Sequence, residues 1–129
     1  MYIRRTVYRR LIMARKRNSI LFLTDILNAI EKIELHIQSG EQEFFKNETI
    51  QDATLFRLQT IGEAVNQLPK ELKERYPDIR WQDIVGFRNI LAHRYWRVDL
   101  HLVWGLFKPN GDIEQLKAVV QELIEELSF

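Results

Sequence analysis

The stretch GFRNILAHRYWRVD, residues 86–99, carries Arg88, Asn89, His93 and Tyr95 as R-N-x-x-x-H-x-Y. These residue types suit chemistry on a phosphodiester. The planar guanidinium of an arginine pairs with phosphate oxygens in two places and keeps its proton, so Arg88 can steady charge that builds on phosphorus. The imidazole of His93 is of the kind that exchanges protons near neutrality. RNA supplies its own nucleophile, the 2′-hydroxyl, so an Arg–His–Tyr set can act on RNA with no metal. Asn89 precedes His93 by one helical turn and is placed to orient the imidazole. On spacing alone a plainer reading carries more weight. In it His93 meets the last carbonyls of a helix, and Tyr95 and Trp96 are core aromatics with one polar handle.

Helical geometry sets a condition on the chemical reading. At about 100° per residue, Arg88 and Tyr95 share a side, while His93 lies roughly 140° round from Arg88. Convergence requires the helix to end or bend near His93, or a second copy to complete the site across a two-fold axis, and both together fit best. Arg94 and Arg97 flank the motif, either as RNA-backbone contacts or as solvated charges. His36 reads as surface or loosely packed, and His101 as structural. The three histidines show no H-x-x-x-H spacing and no carboxylate cluster, which argues against a metal site, and no glycine-rich loop is present to hold a nucleotide cofactor.

The elements that position the motif are helical. Leu23, Ile26, Leu27, Ile30, Ile33 and Ile37 recur at spacings of three and four, with Ser19 as a cap and Gly40 as a stop. GEQEFFKNE reads as a loop. Thr49 and Asp52 form a capping-box signature ahead of a stripe at Leu55, Phe56, Leu58, Ile61, Val65 and Leu68. Gly62 inside that stripe points to close contact with a neighbouring helix. Pro69 opens a short helix that Pro77 stops. Trp81, Ile84, Val85 and Leu91 lead into the motif. Asp99 starts a further run broken by KPNG, and Asp112 caps a last helix with Ile113, Leu116, Val120, Leu123 and Leu127 inward. No period-two alternation appears. The expected fold is all-α, an up-and-down bundle of four main helices plus a short one.

A chain of 129 residues forms one domain, and 46% hydrophobic with 29% charged residues is a globular composition. There is no cysteine, so disulfides and thiolate-metal sites are excluded, which fits a cytoplasmic location. No apolar run approaches the roughly 20 residues that cross a bilayer, so no membrane partner is expected. Charge divides the chain in two. Residues 1–17, MYIRRTVYRRLIMARKR, hold seven basic groups and no acid, leaving twelve basic against eighteen acidic groups, about −6, in residues 18–129. That head reads either as an arm that binds nucleic acid through phosphates or as a loosely ordered extension ahead of a start at Met13. It lacks the apolar core of a secretory signal.

Residues 19–127 resemble the HepT group of HEPN-domain toxins. The resemblance is carried by IGEA (61–64), LPKELKERYP (68–77), the R-x-x-x-x-H-x-Y element and VDLHLVW (98–104), in this order and spacing. It implies a helical homodimer whose two motifs meet in a cleft, acting as a metal-independent endoribonuclease on RNA such as tRNA or mRNA. It further implies the toxin half of a prokaryotic toxin–antitoxin pair, silenced by an MNT-type nucleotidyltransferase antitoxin that transfers AMP to the motif tyrosine. By position, Arg88 would stabilise phosphoryl charge, His93 would be the general acid/base, Asn89 would support the site, and Tyr95 would be modified. The basic head and the turn within LFKPNGDIEQL depart from the family pattern. Two rival readings are a HEPN module that binds RNA or the nucleotidyltransferase without turnover, and a purely structural helical dimer whose head docks elsewhere.

Overall fold

A computed structural model describes residues 2–128 and, among them, contains only helices and turns. The helices are α1 (Tyr2–His36), α2 (Glu41–Lys46), α3 (Glu48–Gln67), α4 (Lys70–Glu74), α5 (Trp81–His93), α6 (Leu100–Gly105) and α7 (Asp112–Leu127), with a 3₁₀ turn at Tyr95–Arg97. The four longest are the four that the periodicity predicts. α1 packs on α3 and α7, and α3 packs on α5. Their stripes meet in one core, where Leu23, Ile26, Ile30 and Ile33 of α1, Val65 of α3, and Val120 and Leu123 of α7 are fully buried. Burying a side chain of this size stabilises the fold by about 1.5–3 kcal/mol. Lys117 on α7 also reaches Glu34 on α1 at 3.0 Å.

Six expectations about the elements need correction. α1 does not start at Ser19: it is helical from Tyr2 and passes through residues 17 and 18 unbroken, with Ser19 buried on its inner face. Residues 2–17 contain no glycine or proline and hold six Arg, with a Lys, a Leu, a Met and an Ala beside them, all good helix formers. GEQEFFKNE is not a loop, since Glu41–Lys46 form a helical turn anchored by the fully buried Phe44. Gly40 does take a positive φ of 94°, but it leads into α2 rather than closing α1.

The cap of α3 is Asn47, whose Oδ1 accepts the Ile50 N–H at 3.1 Å, so Asp52 stands one turn inside the helix and caps nothing. Phe56 is 60% exposed rather than inward, because the stripe of α3 turns past it to Leu55 and Leu58. Likewise Asp112 is the first residue of α7 and lies 3.7 Å from Arg80 instead of capping. Among the described residues, no helix is long and apolar enough to cross a membrane.

Candidate active site

α5 carries the first part of the motif. Its start is pinned by Trp81, whose Nε1–H donates to the Tyr76 carbonyl at 3.0 Å, and Leu91 is buried near its end. The helix stops at His93. Arg94 still donates its N–H to Ile90, but its backbone, at φ −139° and ψ 42°, has left the helix, and Tyr95–Arg97 follow as the 3₁₀ turn. Helix termination at His93 is one of the two conditions that the helical geometry imposed.

Arg88 crosses α3 at Gly62. A Cβ on residue 62 would fall 2.2 Å from Cβ of Arg88, so only glycine lets α5 approach this closely. The guanidinium then extends along α3. Its Nη1 donates to Oδ1 of Asn89 at 2.9 Å, and Nη2 lies 3.4 Å from Oε1 of Glu63. Nε is buried without a partner, which leaves a donor unused. The group lines a 490 Å³ cleft with Phe22 and Asp25 of α1 and Thr60, Glu63 and Asn66 of α3. Arg88 is therefore a cation held beside carboxylates, at a cleft able to admit a polar ligand.

The His93 side chain is exposed and, among the described residues, makes no hydrogen bond or ion pair. The Asn89 oxygen is engaged by Arg88 rather than by the imidazole. Arg94 and Arg97 are exposed on either side of Tyr95. His101 stacks on Phe45, ring centroids 4.6 Å apart, as the structural reading of that histidine expects.

Tyr95 is fastened to α3 at a different level. Its hydroxyl donates to Oδ1 of Asp52 at 2.5 Å. Burial first, then the hydrogen bond and charge of Asp52, then the charge of Glu48, push the phenol up to about 12. The side chain thus keeps its proton at neutral pH. Because the folded-state value lies above the ordinary 10, this group favours folding fully below pH 10, and that contribution disappears as pH rises from 10 through about 12. Asp52→Asn removes the charge and weakens the acceptor while burial stays. Ultraviolet difference titration, with Tyr95→Phe as the blank, then shows this one tyrosine titrating between about 12 and 10. An unchanged midpoint would remove Asp52 from the account.

The structure brings each end of the motif to a carboxylate of α3, and does not bring Arg88 and Tyr95 to one point. Glu63 and Asp52 are eleven residues apart, roughly 16 Å along a helix. Sequence reasoning missed Asp52, Glu63 and Asp25. Asp52 was assigned to a cap that Asn47 supplies, and no local pattern links it to a tyrosine 43 residues away. Around the motif, Ile90 and Trp96 are 46% and 77% exposed, and Phe56 lies one turn beyond Asp52. Large apolar groups left open in this number mark an interaction surface. Among the described residues, no group of three or more His, Asp or Glu is placed to hold a metal ion.

The chain is similar to known proteins over most of its length. The family model described as Ribonuclease HepT-like matches residues 26–123. A Methanocaldococcus jannaschii protein named as a gamma-glutamylcyclotransferase and candidate RNase is 39% identical over 108 residues, 83% of this chain and 48% of that one. The chain thus spans about half the length of that relative. A candidate RNase of the same organism is 36% identical over 82% of this chain and 96% of its own. A protein of Thermococcus cleftensis named as a probable ribonuclease HepT is 33% identical over 84% of this chain and 97% of its own. No solved structure matches the chain.

Proposed function

The chain belongs to the HepT-like ribonuclease family, and from that premise we propose that it is a metal-independent endoribonuclease that works as a homodimer. The observation that carries the reading is the exposed His93 side chain, without a partner among the described residues, at the very end of α5, together with Arg88 on a polar cleft lined from α1 and α3. The exposed Phe56, Ile90 and Trp96 form the face on which a second copy docks. In the dimer the 2′-oxygen of the substrate attacks phosphorus, and the bond from phosphorus to the 5′-oxygen breaks. One His93 takes the hydroxyl proton, the partner's His93 gives one to the leaving 5′-oxygen, and a 2′,3′-cyclic phosphate remains. Arg88 stabilises the phosphoryl charge, exchanging Glu63 for a phosphate oxygen as substrate enters. Asn89 steadies the guanidinium, and Arg94 and Arg97 contact the RNA backbone.

In this reading the protein is the cytoplasmic toxin of a toxin–antitoxin pair, and an MNT-type nucleotidyltransferase is its antitoxin. That partner brings ATP to Tyr95. The phenol oxygen attacks the α-phosphorus, pyrophosphate leaves, and the phenol proton passes to Asp52, its hydrogen-bond acceptor. The attached AMP adds bulk and negative charge beside the end of α5, where the RNA backbone must pass to reach His93. A second reading, binding without turnover, draws on one observation: Arg88 is already paired with Glu63.

One assay decides between them. Protein shown by mass spectrometry to be unmodified at Tyr95 is incubated with tRNA and structured mRNA in excess EDTA. Cleavage leaving 2′,3′-cyclic ends is the expected result. Intact RNA in the presence of a folded dimer would leave the binding reading in place.

A further inference from the structure

The cleft proposed to receive RNA is poor in positive charge. Asp25 and Glu63 line it beside Arg88, and Asp52 and Glu48 surround Tyr95. A polyanion approaching residues 18–129, about −6 overall, meets mostly repulsion. The densest run of positive charge, with no acid in it, lies in the first half of α1.

Arg4 through Met13 are exposed without exception, and Arg15 and Arg17 are exposed as well. Among the described residues, Arg4, Arg5, Arg9, Arg10, Arg15 and Arg17 pair with no carboxylate. The family match starts at residue 26, beyond all of them. This part of α1 is a rod about 20 Å long at 1.5 Å per residue, carrying a high density of fixed cations.

The rod leads to the cleft. Phe22 and Asp25, which line the cleft with Arg88, follow the arm on the same unbroken helix. At about 100° per residue, Arg15 and Arg4 fall on the face of Phe22, seven and eighteen residues before it, or roughly 10 and 27 Å along the axis. Those two arginines give phosphate sites on the line to the mouth that holds Arg88, while Arg5, Arg9, Arg10 and Arg17 lie roughly 100–140° round and extend the cationic surface to the other sides of the rod. The arm does not have the design of a membrane-lying helix, which separates apolar and charged faces. Its exposed Val7, Tyr8, Leu11, Ile12 and Met13 spread over more than about 200° of the helix, with Arg4 and Arg15 in one gap among them and Arg10 and Arg17 in another.

Resting on the ribonuclease reading, we infer that residues 4–17 of α1 form an RNA-docking arm that grips the phosphate backbone and delivers it to the Arg88 cleft at its base. The contacts are to phosphates, so docking depends on salt and tolerates many sequences.

The test uses the full-length chain carrying His93→Ala, so that bound RNA is not consumed, with fluorescence anisotropy on labelled tRNA and on a single-stranded RNA. In one variant Arg4, Arg5, Arg9, Arg10, Arg15 and Arg17 become Gln, which has a similar helix propensity. In a second variant they become Lys. The Gln variant is expected to bind both RNAs at least about 30-fold more weakly at moderate salt, and the slope of log Kd against log salt flattens by about 0.7–0.9 per lost contact. The Lys variant stays within about threefold of the parent, because phosphate also accepts a point charge. Unchanged affinity and slope in a folded Gln variant would overturn the arm. So would tighter binding to vesicles of anionic lipid than to RNA, or loss of the dimer with RNA affinity intact. Should the Lys variant also lose binding while the parent binds, the phosphate-grip account is overturned. Loss of cleavage by the native chain with arm-dependent binding retained would remove the ribonuclease reading and leave the arm standing.

Discussion

His93→Ala lowers the rate of RNA cleavage by about 10²–10⁴-fold, the usual contribution of a positioned acid or base, and leaves the melting temperature within about 2 °C of wild type. The two halves of that statement come from one fact. His93 ends α5 with its side chain exposed and no side-chain hydrogen bond or ion pair to lose among the described residues, so its removal costs the fold little. A histidine kept only to satisfy helix carbonyls would behave the other way, with lower stability and unchanged cleavage. Arg88→Ala is a poorer probe, because its stem packs across Gly62 and its head engages Asn89 and Glu63. Any loss there mixes structure with chemistry. Cleavage by His93→Ala within about threefold of wild type would end the assignment of His93 as proton carrier.

The long helices were legible because each buries a stripe, and a stripe is a local property of the chain. Leu23, Ile26, Ile30 and Ile33 announce α1 wherever they pack. Gly62 was legible for a similar reason, since a glycine inside a helix calls for a close neighbour. The first half of α1 was not, because residues 4–13 are all exposed and show no inward stripe. α2 was hidden by its length: two phenylalanines among polar residues show no period, and only the core shows that Phe44 is an anchor. Phe56 fits the helical period of a core stripe, and only its surroundings reveal that no other element covers it.

The site was half legible. Arg88, His93 and Tyr95 stand close in sequence and speak as a motif, whereas their partners come from α3, which the chain reaches only by folding. Glu63 stands within IGEA with no local sign of a role, and Asp52 stands where a capping box would place it although Asn47 supplies the cap. Both ends of the motif rest on carboxylates. A ribonuclease whose cation is paired to Glu63 and whose phenol is tied to Asp52 is one whose groups are held in place before substrate arrives. In the proposed reaction phosphate displaces Glu63, and Asp52 receives the proton when Tyr95 is modified. What sets both partnerships is the distance between α3 and α5.

That distance is fixed at Gly62, and Gly62→Ala tests it. The new methyl would sit 2.2 Å from Cβ of Arg88, 2.9 Å from its Cγ and 3.2 Å from the carbonyl oxygen of Ile84. Carbon atoms at rest stay about 3.5–4.0 Å apart. No rotamer relieves the clash, because a Cβ is fixed to its backbone, so α5 itself must move by more than an ångström. Alanine favours helix over glycine by about 0.8–1.0 kcal/mol, but overpacking of this kind costs about 1–3 kcal/mol and more where backbone must shift. The expected balance is a loss of about 2 kcal/mol, a drop of about 6–10 °C in melting temperature. Cleavage by the fraction still folded falls by about 10²-fold, since an ångström of misplacement is enough. Gly86→Ala is the control on the neighbouring helix: nothing lies within 4 Å of its added Cβ, so the propensity gain stands alone and the protein gains about 0.5–1 kcal/mol. Opposite signs for the two glycines would show that the crossing, not helix content, holds Arg88 in place. Two stabilised variants would mean that α5 has room to retreat and that the close approach at Gly62 does not position the guanidinium.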